Sequence, residues 1–136
     1  MRRVMPAQAS RGRQSARSPR MEPVRTRWVI VVGVPSPTLD RRIRRLQSSG
    51  FSVTHAESIC HAEMYSEAQY FDAAVYDDSL SEVEQVSLAR IMRVRWPWMR
   101  LVRCDSAPIR LTRDVLFDAS SASEANLPET LLHSLA

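Results

Sequence analysis

From Trp28 onward the chain alternates between two hydrophobic periods. Trp28-Val29-Ile30-Val31-Val32-Gly33 is an unbroken, β-branched run, the pattern of a strand buried on both faces. Pro35, Ser36 and Pro37 then punctuate it. Ser36 is placed to cap a helix that starts at Pro37, where a missing N–H costs nothing. Leu39, Ile43 and Leu46 recur at helical spacing as the inward stripe, with Arg41, Arg42, Arg44 and Arg45 as the solvated face. Gly50 supplies a left-handed stop. A strand over Phe51–Ala56 and a short helix over Ile59–Gln69 follow. A third strand, Phe71–Tyr76, runs into Asp77 and Asp78. Ser81 and Glu84 have capping-box spacing for a helix reaching Arg93 or Val94, with Val83, Val86, Leu88 and Ile91 inward. Trp96-Pro97-Trp98 ends it, Met99–Cys104 reads as a fourth strand, and Val115–Phe117 as a short fifth. Asn126 and Glu129 are placed to cap a last helix with a stripe of Leu127, Leu131, Leu132 and Leu135.

Alternating strands and helices at this spacing predict an α/β fold: a three-layer, doubly wound, parallel five-stranded sheet with right-handed crossovers. In such folds the functional crevice opens at the carboxyl ends of the strands. The residues with a chance to carry chemistry therefore follow the strands: Gly33–Ser36, Asp77–Leu80, Cys104–Ser106 and Asp118–Ser120.

Charge changes the picture at the amino end. The 136 residues hold 19 basic side chains, all arginine, and 15 acidic ones, for a net charge of +4. Without lysine there is no Schiff-base amine, no phosphate-loop lysine and no Ser–Lys dyad. Residues 1–27 carry eight arginines against Glu22, whereas the rest carries eleven arginines and fourteen acids. Residues 1–26 therefore read as a disordered arginine-rich tail and residues 27–136 as the folded domain. The tail is either a solvated extension or a tether for nucleic acid acting through counterion release. The Arg41–Arg45 cluster is a solvated face or a surface for an acidic partner.

No apolar stretch is long enough to span a bilayer, and no signal-peptide pattern precedes the domain, which points to the cytoplasm. Cys60 and Cys104 fit no metal-ligand spacing and read as free, buried thiols. His55, His61 and His133 fall on separate elements. Ser36, Cys60 and Cys104 have no histidine at a pairing distance in sequence, so no nucleophile–base set marks an enzyme.

Three features carry a family resemblance. Gly50-Phe51-Ser52-Val53 followed by Ala56 is similar to the turn into strand two of response-regulator receiver domains. Phe71-Asp72-Ala73-Ala74-Val75-Tyr76-Asp77 is similar to their third strand, and Leu80 to the apolar residue three positions later. The order of elements agrees from about Arg27 to Ala136. The resemblance implies a CheY-like, flavodoxin-like fold in a bacterial two-component phosphorelay, with a histidine kinase or an output protein as partner. It makes Asp77 the phospho-acceptor candidate and magnesium the implied cation, held by acids after strand one. It also implies a hydroxyl residue after strand four and a lysine after strand five.

The sequence departs from that pattern. Gly33-Val34-Pro35-Ser36 offers no carboxylate after strand one. Cys104 falls at the hydroxyl position, with Ser106 as the alternative two residues on. Asp118 falls near the place of the lysine, which the chain cannot supply. Losing that cation and adding an acid removes several kcal/mol of charge stabilisation, on the order of a thousandfold in rate. The expectation is a degenerate pseudo-receiver that acts by protein contact rather than as an enzyme and holds no metal. A rearranged acidic cluster of Asp77, Asp78, Asp105 and Asp118 around a magnesium ion is the less favoured variant. Only Asp105–Asp114 separates the last two strands, so the fourth helix of the family is expected to be shortened.

Overall fold

The computed structural model describes residues 25–105, 107–121 and 123–136. The expected tail up to residue 24 and the hydroxyl candidate Ser106 lie outside the described residues. Five strands form one sheet: β1 (Arg27–Val32), β2 (Phe51–Ala56), β3 (Ala73–Tyr76), β4 (Arg100–Arg103) and β5 (Ala119–Ser120). Their spatial order is β2-β1-β3-β4-β5 and every neighbouring pair is parallel. Four helices connect and cover them: α1 (Pro37–Ser48), α2 (Ile59–Ala68), α3 (Glu82–Arg95) and α4 (Leu127–Leu135).

The β1 run is buried because it faces a helix layer on each side. Val29 and Val31 pack with Leu39, Leu46 and Leu127 from α1 and α4. Ile30 and Val32 point the other way, into a cluster with Ala62, Leu88 and Met92 from α2 and α3. The caps that the sequence predicts for α1 and α3 form: Ser36 and Ser81 accept from the Leu39 and Glu84 backbone N–H groups, and Ser81 with Glu84 closes a full capping box; α2 is capped by Ser58, which accepts from His61 N–H. Gly50 sits at φ +96°, the left-handed conformation that releases the chain from α1 into β2.

Several expectations need correction. The fifth strand is Ala119–Ser120 rather than Val115–Phe117, because Leu116 and Phe117 turn into the α2–α3 core while Val115 stays in solvent. Val83 is exposed, and Gln85, Ala89 and Met92 take the inward side of α3 with Val86 and Leu88. Asn126 makes no side-chain cap because its backbone is already helical, and Leu132 leaves the α4 stripe for the surface. Cys60 is exposed rather than buried. The helix expected to be shortened between β4 and β5 is missing there: the described residues between the two strands contain no helix. The last correction concerns Arg42, which the site explains.

Candidate functional site

Ladder bonds bring four strand ends to one level. Asp77 N–H donates to Val32 O (2.8 Å), Cys104 N–H to Tyr76 O (2.8 Å), and Ser121 N–H to Arg103 O (2.8 Å). Gly33, Asp77, Cys104 and Ser121 therefore line the carboxyl edge of β1, β3, β4 and β5. The strand order reverses between β1 and β3, so Gly33 and Asp77 flank the topological switch point. This is where a doubly wound sheet opens its crevice.

Here the crevice is filled from within. Asp77 is 2% exposed and Arg42, reaching over from α1, is 6% exposed. The Arg42 guanidinium donates through one nitrogen to Asp77 Oδ1 and to Asp78 Oδ1, the latter at 3.1 Å. Asp77 Oδ2 accepts the Ser79 backbone N–H at 3.1 Å. Both oxygens of the Asp77 carboxylate thus carry a donor from the protein. Burial works against the Arg42 charge, but the hydrogen bonds to Asp78 and Asp77 outweigh it and hold the guanidinium above its usual range. Arg42 is not part of the solvated face that the sequence assigns to it.

The surrounding groups close the same space. A Cβ at Gly33 would overlap the Asp77 Cβ and lie 3.1 Å from its carboxyl group, so this position admits no side chain without a shift. Val34 N–H donates to Ser79 Oγ at 3.0 Å, tying the loop after β1 to the loop after β3. His55 Nε2 lies 2.8 Å from the Gly33 carbonyl oxygen, to which its N–H donates in the Nε2-protonated form. Cys104 is buried beside the ion pair. Burial pushes its thiol up to about 12, against the pull of Arg42, which leaves it protonated and unfit as a nucleophile.

The remaining candidates disperse. Asp78 shares Arg42 but is half-exposed. Asp105 caps its own loop, accepting Ala107 N–H at 2.9 Å. Asp118 precedes β5 instead of following it: its Oδ2 accepts Leu101 N–H at 2.8 Å and its own N–H donates to Leu101 O at 2.8 Å. Leu101 lies three residues before Cys104, so Asp118 sits about 10 Å along the strands from Asp77, at the opposite edge. The end of β5, where the resemblance calls for a lysine, holds Ser121. Among the described residues no three acids, histidines or cysteines come together as a ligand set. Magnesium needs several hard oxygen ligands. An aspartate already paired with arginine, next to a glycine that admits no carboxylate, does not fit that ion.

No family model matches the sequence, and no curated protein matches it by sequence. The fold does have relatives. A CheY-like response regulator receiver domain protein from Methanospirillum hungatei superposes with a TM-score of 0.67 at 20% identity, over 82% of this chain and 94% of that one. A CheY-like receiver domain from Methylobacillus flagellatus gives 0.66 at 17%, over 82% of this chain and 100% of that one. A third match is the response regulator TrrA solved with the histidine kinase ThkA, with a TM-score of 0.64 at 16% identity, over 82% of this chain and 100% of that one. The chain has the fold of a CheY-like receiver domain. Within that fold, Arg42 is the residue at the candidate site that the sequence leaves on the solvated face. Its signal was its place three residues after Leu39 and four before Leu46, both inward.

Proposed function

We propose that this chain is a receiver-type signalling module of a bacterial cytoplasm that works by binding a protein partner, without phosphoryl transfer and without enzymatic activity. The buried Arg42–Asp77 ion pair carries the proposal. A carboxylate that attacks phosphorus approaches an anion, and it needs a cation that neutralises the phosphoryl oxygens while leaving the nucleophile free. Arg42 does the reverse, since its charge is spent on the carboxylate itself. The site thus holds its countercharge internally, on the carboxylate itself.

The position of Gly33, the protonated Cys104 and the absence of lysine from the sequence support the same conclusion. A signalling partner is supported by the TrrA fold relative, which was solved with a histidine kinase. The test is exposure of the full chain to acetyl phosphate with magnesium, followed by intact-mass measurement. The expected spectrum shows the unmodified mass alone. A stoichiometric gain of one phosphoryl group, abolished in Asp77→Asn, overturns the proposal.

A further inference from the structure

The outer face of α3 carries a ridge that no described residue covers. At 3.6 residues per turn, Val83, Ser87, Arg90 and Val94 fall within about 60° of one another, on the side away from the buried Gln85, Ala89 and Met92. Val83 is 61% and Val94 81% exposed, and they mark the two ends of the ridge, about 16 Å apart. A groove of about 340 Å³ runs beside Val94, walled by Arg90, Ile91 and Arg95. The irregular chain between β4 and β5 extends the apolar face along one flank. Leu111, 55% exposed, is tied to the first turn of α3 by its N–H, which donates to Glu82 Oε2 at 2.9 Å. Val115, 91% exposed, lies by the last turns, where Arg90 meets Asp114 at 3.3 Å and Arg93 donates to Leu116 O at 2.8 Å.

The charges along this helix select the partner that fits. Glu82 and Glu84 stand in its first turn and Arg93 and Arg95 in its last, so Val83 lies between two acids and Val94 between two bases. The pattern is its own complement when read backwards. A second copy of α3, laid antiparallel across a two-fold axis level with Leu88 and Ala89, sets Val83 against Val94 of that copy and Glu84 against its Arg95. Such an axis makes each contact twice, because the same patch serves both copies. It also brings Leu111 to the level of Val115 of the second copy. The Glu84 carboxylate accepts only the Ser81 N–H among the described residues, so it is open to a cation. Arg95 meets Glu67 of its own chain at 2.5 Å, but both are exposed, and a guanidinium has donors enough for a second carboxylate. A different protein would need no such reversal of charge about the middle of the helix.

We propose that α3 pairs antiparallel with α3 of a second copy of this chain, in a two-fold dimer built on Val83–Val94 and Glu84–Arg95 contacts. One helix face and the loop beside it make a small interface, at the low end for specific complexes, so the dissociation constant is on the order of 10 μM. The inference does not depend on the state of Asp77.

Sedimentation velocity of the full chain, from about 1 to about 500 μM, tests it. A reversible monomer–dimer equilibrium is expected. Val94→Glu sets a carboxylate against Val83 of the second copy and is expected to weaken the dimer by about 10-fold or more. Glu84→Arg and Arg95→Glu each turn two opposite-charge contacts into like-charge ones, and each alone is expected to weaken it on the order of 10-fold. Mixed in equal amounts, these two variants regain both opposite-charge contacts and are expected to form a heterodimer close to the parent affinity. A chain that stays monomeric to about 500 μM leaves the ridge to a different protein and overturns the proposal. A dimer that Val94→Glu and the charge variants leave unchanged places the contact on another surface and overturns it as well. Single charge variants that are weakened but gain nothing on mixing overturn the antiparallel register.

Discussion

Arg42 and Asp77 lie 35 residues apart in sequence and meet in the interior, where each is costly without the other. Removing one partner of such a pair leaves a buried charge uncompensated, at a cost of about 3–5 kcal/mol. Arg42→Ala is therefore expected to lower the unfolding free energy by about that amount, measured by urea denaturation. In an Asp77→Asn background the same substitution is expected to cost much less, because the residual group is neutral. Equal losses in both backgrounds would show that the two side chains are not coupled. The helical stripe in the sequence leaves this pairing open. Positions 42 and 43 both straddle the inward line between Leu39 and Leu46, and hydrophobicity favours Ile43. The structure buries Arg42 and leaves Ile43 at the core's margin, because two aspartates wait across the sheet edge.

At the scale of elements, the segment between β4 and β5 replaces a helix with irregular chain that is nonetheless held. Arg103, buried at the end of β4, donates to Gln85 Oε1 at 3.1 Å and to Ala107 O, and its guanidinium lies 5.7 Å over the Phe117 ring. Gln85 in turn donates to Leu80 O at 3.0 Å, so the chain linked to the Asp77 loop is linked to this segment as well. Arg93 adds a hydrogen bond to Leu116 O. Arg103→Leu is expected to speed amide hydrogen exchange across residues 107–117 while leaving β1 and β3 protected. Unchanged exchange there would assign the holding role to Leu116 and Phe117 alone. The shortness of the connection was legible from its length and Pro108. Its anchoring was not, since an arginine in a strand gives no sign of which distant carbonyl it meets.

The whole molecule presents two different ends of one sheet. At the carboxyl end Arg42 is paired with Asp77. At the amino end Asp72 binds three strands: its N–H donates to Trp28 O at 2.8 Å, its O accepts from Arg100 N–H at 3.1 Å, and its Oδ2 accepts from Trp28 N–H at 2.8 Å. Burial alone would raise the Asp72 pKa, but the Trp28 N–H, the Tyr70 hydroxyl and Arg25 outweigh it and hold the group below its ordinary 3.8. A lowered folded-state pKa contributes stability that is complete above about pH 4 and drains away as pH falls through the folded value. Asp72→Asn is expected to be less stable than the parent at neutral pH, with the gap in denaturation midpoint narrowing below about pH 4. A gap that stays constant down to about pH 2 would assign the effect to shape rather than charge.

The sequence by itself determined the strand and helix alternation, most of the caps, the receiver-like order of elements and the loss of the usual acids and lysine. These are local or compositional facts: β-branched runs, Ser and Gly at fixed offsets, and a residue type that is simply missing. Only the tertiary structure decided that Arg42 turns inward onto Asp77, that Asp118 belongs to the far edge, and that Leu111 and Val115 flank the outer face of α3. Each of those depends on which strand lies beside which, and on a register that a short apolar run such as Val115–Phe117 does not encode. Pairing across a sheet is set by the packing of all its strands at once, so the partners of a charge or a ring become visible only when the sheet is closed.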